Sequence, residues 1–196
     1  MVSEKALTHM EAANKAYNSS NLLKALKEYN AAIELEPNFD EAWYNKALTL
    51  QGIGRYDEAL DAYNTALEMD PENSAFYQNM GSIWASKGDV DKAREFYEKA
   101  ASLAKDLSPR DAATNYYNMG VTYINSGSNE EAKAALEQAI QIDPTHGESH
   151  YQLGVVLLGM GDLEGAINIW KKYLEVSPDG PNAPTAEELI KSLSEG

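Results

Sequence analysis

Apolar side chains recur at helical spacing along the chain, in blocks separated by glycine and proline. In one representative block, Trp43, Ala47 and Leu50 fall on one face of a helix. The pattern breaks at Gly54, restarts as a second amphipathic segment and ends before Pro71. Glycine permits a left-handed helix cap, and proline cannot continue a helix. The block is therefore predicted to form two helices joined by a tight turn.

The same pattern occurs five times in one register. An alanine marks each copy, with spacings of 34, 34, 39 and 34 residues: Ala25, Ala59, Ala93, Ala132 and Ala166. A proline follows four of them by twelve residues: Pro37, Pro71, Pro144 and Pro178. Larger side chains, predicted to fill the space between repeats, follow the alanines by four residues: Tyr29, Tyr63, Tyr97, Leu136 and Trp170. Because one helix pair cannot bury its apolar face alone, stacked pairs are expected to share a continuous core.

This repeat resembles the tetratricopeptide repeat family over roughly residues 6 to 180. The second copy carries the family's pattern at Trp43, Ala47, Leu50, Gly54, Tyr56, Ala59, Tyr63, Ala66 and Pro71. The resemblance implies an all-α fold, a right-handed superhelical solenoid of antiparallel helix pairs. One solenoid domain is expected to occupy residues 1–196, with repeats at 6–39, 40–73, 74–112, 113–146 and 147–180.

Three parts of the chain depart from the family's pattern. In the first copy, Ser20 stands where glycine is usual and His9 where an aromatic residue is usual. The third copy is five residues longer, so its second helix is expected to run about one turn further and to stop before Pro109. The last segment is predicted to form a capping helix at 185–194, with Thr185 as its N-cap.

The charge balance narrows the classes of partner. Lys and Arg total 16 against 31 for Asp and Glu, which gives a net charge of −15. Such a charge opposes binding to nucleic acid and to anionic membranes. The chain has no cysteine, its first residues do not resemble a signal peptide, and its longest apolar run falls short of the ~20 residues of a membrane span. We expect a soluble, cytoplasmic, acidic protein that binds no nucleic acid and no membrane.

Catalytic and metal-binding motifs are weakly represented. His146 and His150 have the i, i+4 spacing that can share a metal on a helix. However, His150 occupies the repeat position that Trp43 holds in the second copy, and it is expected to pack between helices. His146 falls in a turn. We therefore expect no catalytic residues, no metal and no cofactor.

A row of amide side chains is the first candidate for ligand binding. In peptide-binding members of the family, the first helices of the repeats line a concave groove, and this resemblance implies contacts from equivalent slots: Asn45, Asn79, Asn118 and Gln152. An amide both donates and accepts hydrogen bonds, so such a row can satisfy an extended peptide backbone. The alternative is that each amide bonds within its own repeat. Both interpretations remain open from the sequence.

An aromatic and apolar row is the second candidate. Next to the amide slot lie Tyr44, Gln78, Tyr117 and Tyr151, and four residues after three of them lie Leu48, Val121 and Val155. With Ile124 and Leu158, the later copies carry an apolar strip that predicts a partner site if it is exposed. The alternative is that neighbouring repeats partly bury it. The first copies offer a more polar surface, with Asn14, Tyr17 and Asn45.

Two functions follow from these patterns. The first is an adaptor or scaffold that binds a peptide segment of a basic or amphipathic partner in the groove. The second is self-assembly into a homo-oligomeric scaffold through the apolar strip or the repeat ends. Some family members clamp acidic chaperone tails with basic side chains, but here those slots hold Met10, Ala75 and Asn79. Without cations, recognition of a carboxylate loses its strongest contribution.

Overall fold

The computed structural model describes residues 2–103 and 108–195, which form eleven α-helices and no β-strand. In chain order the helices are α1 (Glu4–Asn18), α2 (Leu22–Leu35), α3 (Asp40–Gly52), α4 (Tyr56–Met69), α5 (Ser74–Ser86), α6 (Val90–Leu103), α7 (Pro109–Ser126), α8 (Asn129–Ile142), α9 (Gly147–Gly159), α10 (Leu163–Val176) and α11 (Ala183–Ser194). The all-α class predicted from the periodicity is confirmed.

The turns within the helix pairs use the glycines identified in the sequence. Left-handed backbone conformations, with φ from +77° to +84°, occur at Gly54, Gly88, Gly127 and Gly161. In the first pair Ser20 takes the same role at φ +59°. A left-handed residue closes each first helix and lets the chain reverse. The divergent first copy therefore keeps the turn although it lacks the glycine.

The small and large slots of the repeat form the core. The five marker alanines are fully buried, and the large side chains four residues later are between 0% and 4% exposed: Tyr29, Tyr63, Tyr97, Leu136 and Trp170. At Gly154 a Cβ atom would lie only 2.3 Å from the Trp170 Nε1 atom, so only glycine permits this approach of α9 to α10. The large side chains are therefore buried, and Trp170 packs closely on α9 of its own repeat.

The helices group into two compact units, divided between Ile83 and Trp84 inside α5. In the first unit, α1 packs on α2, α2 on α3 and α3 on α4. In the second unit, each helix from α6 to α11 packs on the next one. Leu189, Ile190 and Leu193 of α11 pack against the core of the second unit, so this helix covers α10.

The five extra residues of the third copy lengthen the start of α7. This helix has 18 residues, whereas α3, α5 and α9 have 13 each. Pro109 was expected only to stop the preceding helix, but it is the first residue of α7 and lies before the predicted repeat start at 113. Proline suits this position because its missing N–H needs no partner there. The expected extra turn of α6 falls on residues 104–107, outside the described residues.

The start of the capping helix also differs from the sequence expectation. Helix α11 begins at Ala183 with Asn182 as its N-cap, and Thr185 lies inside the first turn. Pro184 occupies one of the first helical positions, where proline is favoured over a residue with an unsatisfied N–H. The prediction of Thr185 as N-cap was therefore wrong, because this proline signal outweighs the capping-box pattern.

Candidate functional site

The predicted binding residues lie on the first helices of the pairs, and the two units carry separate sets. The first unit holds Asn14, Tyr17, Tyr44, Asn45, Leu48, Gln78 and Asn79. The second unit holds Tyr117, Asn118, Val121, Ile124, Tyr151, Gln152 and Val155. Tyr17 is exposed, and all the others are half-buried. Each unit therefore presents its own candidate face, which we call the first face and the second face.

The amide side chains divide into an engaged group and an unengaged group. Asn14 accepts a hydrogen bond from the Tyr29 hydroxyl at 2.7 Å. Asn79 donates to the Ala75 carbonyl at 2.9 Å and lies 3.4 Å from the Tyr44 hydroxyl. Gln152 hydrogen-bonds to the Tyr117 hydroxyl. Each engaged amide thus contacts a tyrosine of its own unit.

The side-chain amides of Asn45 and Asn118 make no hydrogen bond to any other described residue. Both are half-buried, in the same slot of their repeats. A half-buried amide without a partner retains all its donors and acceptors for a ligand or for water. The alternative that each amide bonds within its own repeat therefore applies to Asn79 and not to Asn45 or Asn118.

Two buried tyrosines of the first unit, Tyr29 and Tyr63, donate hydrogen bonds to amide side chains. Burial, with Tyr17 and Glu41 nearby, raises the pKa of Tyr29 to about 12. Burial also raises the pKa of Tyr63, whose hydroxyl donates to Gln51 at 3.2 Å. Both hydroxyl groups consequently stay protonated at neutral pH and act as hydrogen-bond donors.

The apolar strip of the second face is partly absorbed into the core. Half-buried side chains that pack against the core of the second unit include Tyr117, Ile124, Tyr151, Val155 and Leu158. The Tyr151 ring lies 5.5 Å from the Tyr173 ring, and the Tyr117 ring lies 5.4 Å from the His146 ring. Val121 is half-buried as well. The strip therefore offers the edges of its side chains and not an open apolar patch.

A groove on the second unit was not predicted from the sequence. A groove of about 290 Å³ has walls from α6, α7 and α8: Arg94, Glu98, Tyr116, Met119, Tyr123, Glu131, Ala134, Ala135 and Gln138. The Arg94 side chain hydrogen-bonds to the Tyr123 hydroxyl inside it. The predicted binding residues all lie on first helices, so the second-helix residues Arg94 and Glu98 were missed.

Both histidines of the second unit have structural contacts. The ring of His150 lies with Nε2 2.9 Å from the Pro144 carbonyl oxygen, as the Trp43 indole does with Pro37 at 2.9 Å. His146 Nδ1 lies 2.8 Å from the Ser149 hydroxyl, and burial lowers the pKa of His146. Residues 2–103 and 108–195 contain no group of three or more His, Cys, Asp or Glu side chains arranged to hold a metal ion.

Over the same two ranges, each helix is either too short or too polar to cross a membrane. Among the described residues, Lys and Arg form ion pairs with acids three residues away, as in Arg55 with Glu58 and Lys172 with Glu175. Such exposed pairs contribute little to stability.

Comparison with known proteins agrees with this architecture. Models of the tetratricopeptide repeat match residues 44–112, 113–146 and 135–168. An uncharacterized protein of Methanocaldococcus jannaschii is 52% identical over 42 residues, which cover 21% of this chain and 49% of that protein. The chain thus spans about half the length of that relative.

Two solved structures are similar in fold. MamA of Desulfovibrio magneticus RS-1 matches with a TM-score of 0.76 and 19% identity, over 92% of this chain and 99% of the other. YrrB, described as a TPR protein with an unusual peptide-binding site, matches with a TM-score of 0.65 and 23% identity, over 93% and 92%. The repeat register, the helix pairs and these matches agree: the chain belongs to the tetratricopeptide repeat family.

Proposed function

We propose that this chain is a non-catalytic adaptor or scaffold that binds an extended peptide segment of a partner protein on the first helices of its repeats. Tetratricopeptide repeats typically mediate protein–protein interactions. The observation that carries the proposal is the pair of unengaged amides, Asn45 and Asn118, in equivalent slots. Unused hydrogen-bonding groups on a half-buried surface favour a ligand that supplies backbone partners.

The engaged amides have a different role in this proposal. Asn14, Asn79 and Gln152 hold Tyr29, Tyr44 and Tyr117 in position. A binding surface whose side chains are fixed beforehand loses less conformational entropy when a ligand arrives. The engaged amides therefore support the surface, and the unengaged amides contact the ligand's main chain.

Ligand side chains would meet different chemistry on the two faces. On the first face they contact Tyr17, Tyr44, Leu48 and Gln78, and Tyr44 lines a pocket with Asp40 and Glu41 at the acidic start of α3. On the second face they contact the apolar edges of Tyr117, Val121, Ile124, Tyr151 and Val155. The apolar edges of the second face favour a partner segment with an apolar side, and the net charge of −15 favours a basic partner over an acidic one. The fold shared with YrrB, which has a peptide-binding site, supports the same proposal.

The experiment is a selection from a random peptide library on the full chain, followed by affinity measurement with the selected peptides. We expect the Asn45→Ala, Asn118→Ala double variant to bind them at least about tenfold more weakly, because each lost hydrogen bond is worth roughly 1 kcal/mol. The matched control is Asn125→Ala, Asn168→Ala, which removes two exposed amides elsewhere on the chain. Equal affinity of the two double variants would contradict the proposal.

Self-association is a second candidate, favoured by one observation. Of five large apolar side chains that are exposed among the described residues, four lie on α1 and α2: Leu7, Tyr17, Leu23 and Leu35. Leu23 is 71% exposed, so a second copy could cover it at little structural cost. Light scattering over a range of concentrations tests this candidate. Dimers that the Leu23→Glu variant cannot form would support it, and a monomer at every concentration would exclude it.

A further inference from the structure

A pocket of about 280 Å³ lies on the first unit, between the starts of α3 and α5. Its lining residues are Asp40, Glu41, Tyr44, Asn73, Ala75 and Phe76. Sites for whole small molecules usually occupy ~300–1,000 Å³. The pocket lies at the lower end of this range and has room for one long side chain of a larger ligand.

Aromatic rings form one wall of the pocket. The Tyr44 ring lies 5.2 Å from the Phe76 ring and 6.1 Å from the Tyr63 ring. Phe76 is only 4% exposed, so it forms a rigid base. Asn79 donates a hydrogen bond to the Tyr44 hydroxyl at 3.4 Å and helps to orient this ring. Rings held in this way offer a surface for the aliphatic stem of a long side chain and for a cation.

Carboxylates form the other wall. Asp40 and Glu41 lie in the first turn of α3, where the helix dipole favours negative charge, and this position alone does not define a ligand site. Unlike Asp89 and Asp91, however, they form no ion pair with any described Lys or Arg. Glu41 also lies close enough to Tyr29 for its charge to raise the pKa of that hydroxyl.

No Lys or Arg of the described residues lines the pocket, and the residue at position 75, at the start of α5, is an alanine. The small side chain leaves space that a longer residue would fill. An aromatic base, two unpaired carboxylates and an empty volume of one side chain together match one chemical group, a long cationic side chain.

We propose that this pocket accepts a lysine or arginine side chain of the bound peptide, with its stem on Tyr44 and Phe76 and its charged end beside Asp40 and Glu41. The inference rests on the proposed function and adds to it the residue type that the first face selects. An acidic or phosphorylated side chain is excluded from the pocket by repulsion from the same carboxylates.

The test uses a peptide selected from the random library by the wild-type chain. Selected peptides are expected to share a Lys or Arg at one position. Replacing that residue by glutamine should weaken binding to the wild-type chain about tenfold, because a charge-assisted contact and a cation–π contact are lost together. The Asp40→Asn, Glu41→Gln variant should bind the original peptide about tenfold more weakly than the wild-type chain does. Its affinities for the original peptide and for the glutamine peptide should differ by no more than about twofold.

Two further variants keep the result specific. Glu187→Gln, Glu188→Gln changes the net charge equally on α11, so it controls for long-range attraction and should leave affinity within about twofold. Ala75→Lys places a cation of the chain itself in the pocket. This variant should weaken binding of the basic peptide as strongly as the loss of both carboxylates does. Circular dichroism confirms that each variant keeps its helices.

The possible outcomes distinguish a failure of the pocket assignment from a failure of peptide binding itself. Two results would overturn the pocket assignment and leave peptide binding intact. In the first, the selected peptides depend on Asn45 and Asn118 but share no basic residue. In the second, they bind the Asp40→Asn, Glu41→Gln variant with the same affinity as the wild-type chain. Failure to select any peptide would overturn both.

Discussion

The first and second faces differ at one equivalent position of the repeat. On the first face, Tyr17, eight residues before the marker alanine, is 38% exposed. On the second face, Ile124 occupies the same position, is half-buried and packs against the core. The position in the repeat therefore fixes where a side chain lies but not how far it is buried.

The largest expected effect tests the close packing of the second unit. Gly154→Ala should destabilise the chain by about 3 kcal/mol, because the added Cβ would lie 2.3 Å from the Trp170 indole nitrogen. Gly159→Ala on the same helix is the control, since its Cβ would have no neighbour within 4 Å. The control should be neutral or stabilised by up to about 1 kcal/mol. Urea unfolding monitored by circular dichroism measures both, and similar values for the two variants would refute close packing at Gly154.

The next effect compares one tyrosine from each face. Tyr151→Ala should lower the free energy of unfolding by about 2 kcal/mol, because its ring packs on Tyr173 and the core. Tyr17→Ala should lower it by less than about 0.5 kcal/mol, because this side chain is 38% exposed. Thermal unfolding of the two variants checks the contrast. A reversed order would break the distinction between the faces.

A smaller effect compares an engaged amide with an unengaged one within the first unit. Asn79→Ala removes the hydrogen bonds that Asn79 donates to the Ala75 carbonyl and the Tyr44 hydroxyl. This change should cost about 1 kcal/mol of stability. Asn45→Ala removes no hydrogen bond to any described residue and should change stability by no more than about 0.5 kcal/mol. Chemical denaturation distinguishes them, and equal losses would indicate that Asn45 also supports the fold.

The smallest effect is a pH dependence in the second unit. Burial lowers the pKa of His146 below its ordinary value of 6.5, so the unfolded chain binds a proton more readily than the folded chain. This contribution to stability is complete above pH 6.5 and decreases as the pH falls from there towards the lowered pKa. The free energy of unfolding should therefore decline between about pH 7 and pH 5.

One variant attributes that decline to a single residue. His146→Gln should reduce the pH dependence of the unfolding free energy, because it removes the group whose pKa burial lowers. Denaturation midpoints at several pH values measure the effect. An unchanged decline in His146→Gln would show that another group is responsible.

The repeat register predicted much of the fold, because helix pairing depends on spacing. The marker alanines, the left-handed glycines and the fillers such as Trp170 are all where the register places them. The start of α7 at Pro109 and the start of α11 at Ala183 were missed. At both points proline favours the beginning of a helix, and the sequence pattern was interpreted as a stop or as a cap further along.

The candidate site could be predicted only in part. The register identified the amide row, yet the sequence could not show that Asn79 is engaged and Asn45 is not. That difference depends on which hydroxyl groups and carbonyls lie within reach in three dimensions. The pocket beside Tyr44 was not foreseen either, because it depends on the small side chain of Ala75 as much as on the charged residues around it.

The most direct test of the central claim follows the side-chain amide signals of the isotope-labelled chain by nuclear magnetic resonance while a library-selected peptide is added. We expect the signals of Asn45 and Asn118 to shift strongly, because their amides take up new hydrogen bonds, and the Asn79 signal to move little. Shifts confined to Gln138 and the other residues of the groove around Tyr116, with Asn45 and Asn118 unmoved, would contradict the account and place the binding surface on the second helices.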